Sequence, residues 1–194
     1  MIEPLIETER TIIRLPNEGD EDALLRFVIE NREHLAGWEP ERNEEYYTPT
    51  GCSERVLKLR SDFEDGGAIP LLAWAREERR IVARCNFSNI VRGPLQACHL
   101  GYSVNLADQG KGLMFEVVDA AISYVFESVG LHRIMANYIP RNLRSERLLQ
   151  RLGFQKEGYA RSYLLIAGVW EDHILTALIK GDRHGALLPR SPIM

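Results

Sequence analysis

No stretch of this sequence is apolar for long enough to cross a bilayer. Runs such as Leu71-Leu72-Ala73-Trp74-Ala75 fall far short of the roughly 20 apolar residues that a spanning helix needs. Cysteine is scarce: Cys52, Cys85 and Cys98 are an odd number at spacings that match no zinc or redox motif, so no metal centre is expected. The first residues, Met1-Ile2-Glu3-Pro4-Leu5-Ile6-Glu7, are acidic and lack both the basic and the hydrophobic segments of a secretory signal. The cysteines are therefore expected as reduced thiols, and the cytoplasm as the compartment. An excess of positive charge is missing too. A net charge of −4 argues against a nucleic-acid binder that works by wide phosphate neutralisation, whereas it suits a basic peptide as substrate. No internal repeat and no linker rich in proline or serine divides the chain.

What is present fits one domain, since 194 residues suffice to bury roughly 70% of the unfolded surface in a single core. Thr11–Leu15 alternates around β-branched residues and predicts a strand, followed by turn and capping chemistry at Asn17-Glu18-Gly19-Asp20. Helical spacing of Ala23, Leu24, Phe27, Val28 and Leu35 predicts one helix, stopped by Gly37 and Pro40, and 38–51 reads as an acidic loop. Ser53 is placed as the cap of a second helix ending at Gly66-Gly67. Extended runs at 69–76, 80–90 and 95–104 outline an antiparallel meander. A strong apolar stripe from Met114 to Phe126 makes the longest helix, ending at Gly130. A strand at 134–139, a helix from Asn142 to Gly153 and two strands at about 156–166 and 170–179 complete an order of β, αα, βββ, α, β, α, ββ. Residues 8–180 are taken as the domain and 181–194 as a frayed tail.

Gln109-Gly110-Lys111-Gly112 lies where the third strand of the meander hands over to the longest helix, which continues as Leu113-Met114. Glycines at a helix start let the backbone approach a ligand, and the free N–H groups and helix dipole there favour an anion such as a phosphate. A P-loop would need Ser or Thr after the Gly-Lys pair, and Gly112 stands there. A dinucleotide fingerprint would need a small residue three positions after Gly112, and Phe115 stands there. A flexible turn without a ligand is the competing reading of the loop taken alone.

A second constellation follows downstream, Asn142-Leu143-Arg144-Ser145 and then Leu152-Gly153-Phe154. With Gln109-Gly110-Lys111-Gly112 it resembles the GNAT superfamily of acetyltransferases. Trp38-Glu39-Pro40, Asn86-Phe87-Ser88-Asn89, Leu100-Gly101-Tyr102-Ser103, Gly110 to Glu116, His132 to Tyr138, Glu157-Gly158-Tyr159-Ala160 and Asp172-His173 narrow the resemblance to its RimJ and RimL group, and there to the branch that acetylates ribosomal-protein alanine. The resemblance implies an α+β GNAT fold, a splayed, mostly antiparallel mixed sheet of about seven strands with about four helices. It implies acetyl-CoA as cosubstrate and no metal. The pyrophosphate is then held at Gln109, Gly110, Lys111, Gly112, Leu113 and Met114, and the pantetheine arm lies along Tyr102, Ser103 and Val104. Asn142 and Ser145 fall near the sulfur end. Phe87, Tyr102 and Tyr138 either line the tunnel or belong to the core. The implied acceptor is the N-terminal alanine or serine of a ribosomal protein, met free, on the ribosome or in an assembly intermediate.

Attack of an amine on a thioester needs a neutral amine, a polarised carbonyl and a proton for the departing thiolate, with no covalent enzyme intermediate. Some acetyltransferases place a Tyr seven residues after the Asn, and that position is Leu149 here. Ser145 is the candidate proton donor or sulfur contact, against a plain surface serine, and Asn142 serves as a cap, a cofactor ligand or both. Candidate bases are Glu39, Glu116, His99 or water. Glu39 sits beside Trp38, where it can meet the incoming ammonium or be a solvated loop charge. In RimL-like enzymes the proposed base lies on the penultimate strand, where this chain has Leu164, so that role does not transfer. Acetylation of a small amine (an antibiotic, polyamine or amino acid) and a non-catalytic acetyl-CoA-binding module are the alternatives.

Overall fold

The computed structural model describes residues 1–77 and 79–184 of the chain. Its elements in order are β1 (Leu5–Glu7), β2 (Thr11–Arg14), α1 (Glu21–Glu30), α2 (Arg32–Ala36), α3 (Pro49–Glu64), β3 (Ile69–Ala75), β4 (Ile81–Val91) and β5 (Ala97–Val104). There follow α4 (Leu113–Glu127), β6 (Arg133–Met135), α5 (Leu143–Arg151), β7 (Gln155–Ile166) and β8 (Val169–Ile179). The strands form one sheet in the order β1-β2-β3-β4-β5-β6-β8-β7. Every neighbouring pair is antiparallel except β5 with β6, which run parallel. Among the described residues no helix is long and apolar enough to cross a membrane.

Period-two alternation on β4 and β5 assigns the two faces of the sheet. Ala83, Cys85 and Phe87 on β4, with Cys98 and Leu100 on β5, pack in the main core against Val117, Val118, Ala121, Ile122 and Val125 of α4. On β3 the opposite face turns Leu72 into a second cluster with Leu24, Phe27 and Val28 of α1 and Cys52 and Val56 of α3. All three cysteines are buried free thiols, and burial pushes Cys98 up to about 12.

Eight strands and five α-helices stand where about seven and four were expected, and each difference has an identifiable physical cause. β1 is a short edge strand that exists through its pairing with β2. The single helix expected over 20–36 divides at Asn31, which is fully buried. Its amide donates to the Phe27 carbonyl at 2.7 Å and accepts from the Leu106 N–H at 2.8 Å, so α1 ends where it is tied to the chain ahead of the glycine loop. The acidic loop contains a 3-10 turn at Glu44–Tyr47. α3 starts at Pro49, five residues earlier than a cap at Ser53 would place it: Thr48 accepts from the Gly51 N–H, Pro49 occupies the first turn, and the Ser53 hydroxyl donates to the Pro49 carbonyl. The strand expected at 134–139 closes after Met135, where the Asn137 side chain accepts from the Thr176 N–H, and pairing resumes only as a bridge between Tyr138 and Ile174. Lys180–His184 form a 3-10 turn rather than fraying; the rest of the expected tail, 185–194, lies outside the described residues.

Candidate active site

β5 runs into Asn105, whose side chain accepts from the Ala107 N–H and starts a single 3-10 turn ending at Asp108. Asp108 is buried, and Arg80 first, then Lys111, hold its carboxyl below the usual range. Arg80 donates to it at 2.5 and 3.1 Å, and the Lys111 ammonium turns back to within 3.6 Å. The Lys111 carbonyl accepts from Arg10, which also grips Glu116 through its backbone N–H and its guanidinium. Glu116 therefore braces the outer wall of the loop.

Within that frame Gly110 and Gly112 both adopt φ +74°, a left-handed conformation that side chains other than glycine and asparagine rarely take. A Cβ at either would meet no protein atom within 4 Å, so the space above the loop is open. Gly112 is the N-cap of α4 and offers no side chain to it, and the first bond into the helix runs from Glu116 N–H to the Gly112 carbonyl. The N–H groups of Leu113, Met114 and Phe115 thus lack intrahelical acceptors and point out of the helix start, a site built for an anion. The Gln109 side chain is spent otherwise: it bonds His34 of α2 and accepts from Arg144 of α5, drawing both helices to the loop. Arg144, Arg147 and Arg151 share one face of α5 and line the same cavity, with Arg151 stacked 3.9 Å above Phe115. A chain of net negative charge therefore gathers guanidinium groups beside its anion site.

The second feature is a strand edge. β5 pairs with β4 along its length, but on its other side it meets β6 only at Ala97, Cys98 and His99. Among the described residues, no strand neighbours that edge from Leu100 to Val104, because β6 diverges toward β8. An extended chain carrying amides can pair there by strand addition, which is where the sequence places Tyr102, Ser103 and Val104. The register directs the backbone groups of Leu100, Tyr102 and Val104 to this edge, while Ser103 turns its own toward β4 and its hydroxyl accepts from Arg84 at 3.2 Å.

The third feature joins two expected site residues. Asn142 caps α5 by accepting from the Ser145 N–H at 3.1 Å, which fixes the first turn. Ser145 then meets the hydroxyl of Tyr102 at 2.5 Å, and burial lifts that phenol well above its ordinary value, so it keeps its proton at neutral pH. Neighbouring Tyr138 is mostly buried and donates to Glu146, while Phe87 and Leu149 are core residues.

A cavity of about 1830 Å³ connects these features to the opposite face of the sheet. It is lined from both faces of β5, by Leu100 and Tyr102 on one and His99, Gly101 and Ser103 on the other, and so passes through the gap where β5 and β6 part. Glu39 stands at its far side. It is no solvated loop charge: Arg84 donates to it at 2.9 Å, Arg42 lies at 3.7 Å, and its carbonyl accepts from Ala167 of the β7–β8 turn. Arg84, missed in the sequence, also donates to the Tyr46 hydroxyl at 2.9 Å. Its signal was a lone charge inside the apolar run Ile81-Val82-Ala83-Arg84-Cys85. Asn86 and His99 line the same side of the cavity.

Comparison with known proteins gives consistent matches. Residues 10–155 fit the family model described as the acetyltransferase (GNAT) domain. The ribosomal protein uS5-alanine N-acetyltransferase of Escherichia coli (strain K12) is 46% identical over 177 residues, covering 91% of each chain. The structure of ribosomal-protein-S5-alanine acetyltransferase from Vibrio fischeri superposes with a TM-score of 0.88 at 41% identity, over 93% of this chain and 98% of that one. Mycobacterium smegmatis RimJ in complex with CoA-disulfide superposes with a TM-score of 0.87 at 25% identity, over 98% and 91%.

Proposed function

Because the chain belongs to the GNAT family of acetyltransferases, we propose that residues 8–180 form one acetyl-CoA-dependent N-α-acetyltransferase domain whose acceptor is the N-terminal residue of a ribosomal protein, alanine first and serine second. The observation that carries the acceptor is the 46% identity, spread over 91% of both chains, to a protein named for ribosomal protein uS5 alanine. The geometry supports the cosubstrate. Open space over Gly110 and Gly112, free N–H groups at the start of α4 and guanidinium groups on α5 suit a pyrophosphate, and the free edge of Leu100–Val104 suits an amide-bearing arm.

Acetyl-CoA, when bound, supplies the thioester that the amine attacks and the thiolate that must be protonated. Ser145, backed by the protonated Tyr102 hydroxyl, is the proton donor on the cofactor side of the gap. Asn142 positions Ser145 by capping its turn. Glu39 faces the acceptor side with its charge balanced by Arg84, so it is poorly suited to act as a free base. A free α-amino group titrates near 8, so an appreciable fraction is already neutral at pH 7 and water can take its last proton.

The test is a panel of short peptides varying the first two residues, run beside polyamines, with release of CoA thiol as readout. Ala-initiated peptides should give the highest kcat/KM. A panel on which only the small amines react would overturn the assignment.

A further inference from the structure

Three buried side-chain polar atoms among the described residues have no hydrogen-bond partner: Trp74 Nε1, Asn86 Oδ1 and His99 Nδ1. Leaving such an atom unmatched costs about 1–3 kcal/mol, so a pair of them in one place calls for an explanation. Asn86 and His99 are such a pair, since both line the large cavity on the face of the sheet turned away from α4. The register brings them together. Asn86 lies opposite Gly101, and His99 lies two residues before Gly101, so the two side chains are diagonal neighbours with Cβ atoms about 7 Å apart. Gly101 leaves the floor between them clear, with nothing within 4 Å of an added Cβ. His99 is also the last residue of β5 paired with β6, opposite Met135, and therefore marks the point where the sheet opens.

We propose that Asn86 and His99 are the residues that hold the acceptor's primary amine at this opening, each accepting one of its N–H groups. The proposal rests on the reading of the protein as an N-acetyltransferase and extends it to the acceptor site. Two acceptors roughly 5–6 Å apart can both reach one nitrogen at ordinary hydrogen-bond distance. A neutral amine has two N–H groups to give, and its lone pair is then free to point through the gap toward the open edge of β5. The site favours that form over the ammonium. Among the described residues the carboxylates lining the cavity are Glu39 and Asp108, and both are ion-paired, Glu39 with Arg84 and Arg42, Asp108 with Arg80 and Lys111. Burial lowers the His99 pKa, so the ring is neutral at physiological pH and accepts at Nδ1 with its proton on Nε2. An amine that enters sheds its charge on desolvation and meets neutral acceptors matched to its N–H groups.

Asn86→Leu separates this role from a structural one, because replacing an unmatched buried amide by an apolar group of similar size leaves stability unchanged or raised. A short Ala-initiated peptide would be titrated calorimetrically into the protein saturated with CoA, a complex that binds the acceptor without turnover. The Kd of the peptide should rise about tenfold in Asn86→Leu and in His99→Leu, with His99→Asn retaining part of the affinity, while the Kd of CoA changes less than twofold and the melting temperature of Asn86→Leu does not fall. An unchanged peptide Kd in Asn86→Leu overturns the proposal, and so does a fall in its melting temperature with peptide affinity intact. If spermidine is acetylated and the peptide is not, the ribosomal-protein assignment fails instead. The same comparison made on spermidine then decides the amine site: a tenfold loss sustains it and no loss overturns it.

Discussion

Substituting Gly112 tests the anion site, because the structure separates what the change does to folding from what it does to binding. The residue sits at φ +74° and ψ 2° as the N-cap of α4, and an added Cβ meets no protein atom within 4 Å. Folding therefore suffers through the backbone alone. A β-branched residue forced into the left-handed region costs roughly 1–2 kcal/mol, which for a chain of this length lowers the melting temperature by about 2–8 °C. Asparagine tolerates that region, so Gly112→Asn should melt within about 2 °C of the parent protein. Binding responds differently. Either side chain projects into the open space over the free N–H groups of Leu113 and Met114, and losing one hydrogen bond to a charged phosphate costs about 1.5–3 kcal/mol, or roughly ten- to hundredfold in affinity. Initial rates of thiol release, measured with an Ala-initiated peptide over a range of acetyl-CoA concentrations, should show the acetyl-CoA KM rising by that factor in both variants. Because a Cβ at Gly112 meets no protein atom within 4 Å, the Tyr102–Ser145 pair included, kcat should stay within about threefold, the mark of uniform binding. A KM within twofold of the parent in Gly112→Asn, despite its intact fold, would refute the assignment of the loop as a phosphate site.

Ser145→Ala should lower kcat at least about tenfold with little change in either KM, and should cost about 0.5–1.5 kcal/mol of stability because the partly buried Tyr102 hydroxyl loses its partner; an unchanged kcat would remove Ser145 from the proton path. Burial raises the Tyr102 pKa, so the rate should show no alkaline loss attributable to that phenol below pH about 10. Arg84→Met leaves Glu39 and Tyr46 without their donor and should cost about 2 kcal/mol in urea unfolding, with part of the loss recovered in the double variant carrying Glu39→Leu. The side-chain bond from Arg80, reinforced by Lys111, depresses the Asp108 pKa below its unfolded value near 4, so its contribution is present above that value and disappears as pH falls through the folded one. Asp108→Asn should accordingly lower the melting temperature at pH 7, and the gap should close as both proteins are acidified through the folded-state pKa of Asp108.

How much of the fold could be read in advance depends on how local its causes are. The stripe from Met114 to Phe126 is self-contained, and α4 follows it into the main core. Thr48-Pro49 is a start signal in plain sight, a capping hydroxyl followed by a proline in the first turn, but it lies ahead of the apolar stripe that points to Ser53. The break at Asn31 is of another kind. Its amide bonds Leu106, a residue 75 positions away, and no window of sequence around Asn31 contains that partner. β1 and the shortened β6 are likewise products of pairing, β1 with β2 and β6 with β8, rather than of their own composition.

The same contrast divides the site. Its anion-binding half is a run of consecutive residues, Gln109 to Met114, and what matters there is backbone conformation, which glycine advertises in the sequence. The arginines of α5 recur at 144, 147 and 151, a helical spacing that was legible and carried a meaning only once the helix stood beside the glycine loop. The proposed acceptor half is made of alternate residues on two strands. Arg84, Asn86 and Ser88 interleave with the core residues Ala83, Cys85 and Phe87, and across the sheet His99, Gly101 and Ser103 interleave with Cys98, Leu100 and Tyr102. Parity alone sorts these residues into two sets, but it cannot say which set faces a packed helix and which faces an open cavity. That follows from β6 leaving β5 after Met135, a long-range event. Register is thus the quantity on which the acceptor site depends: a slip of β4 by one residue would replace Arg84 and Asn86 with Cys85 and Phe87 on that face. The guanidinium that balances Glu39 and the amide acceptor beside His99 would then be lost together, while the glycine loop, set by its own dihedral angles, would still form.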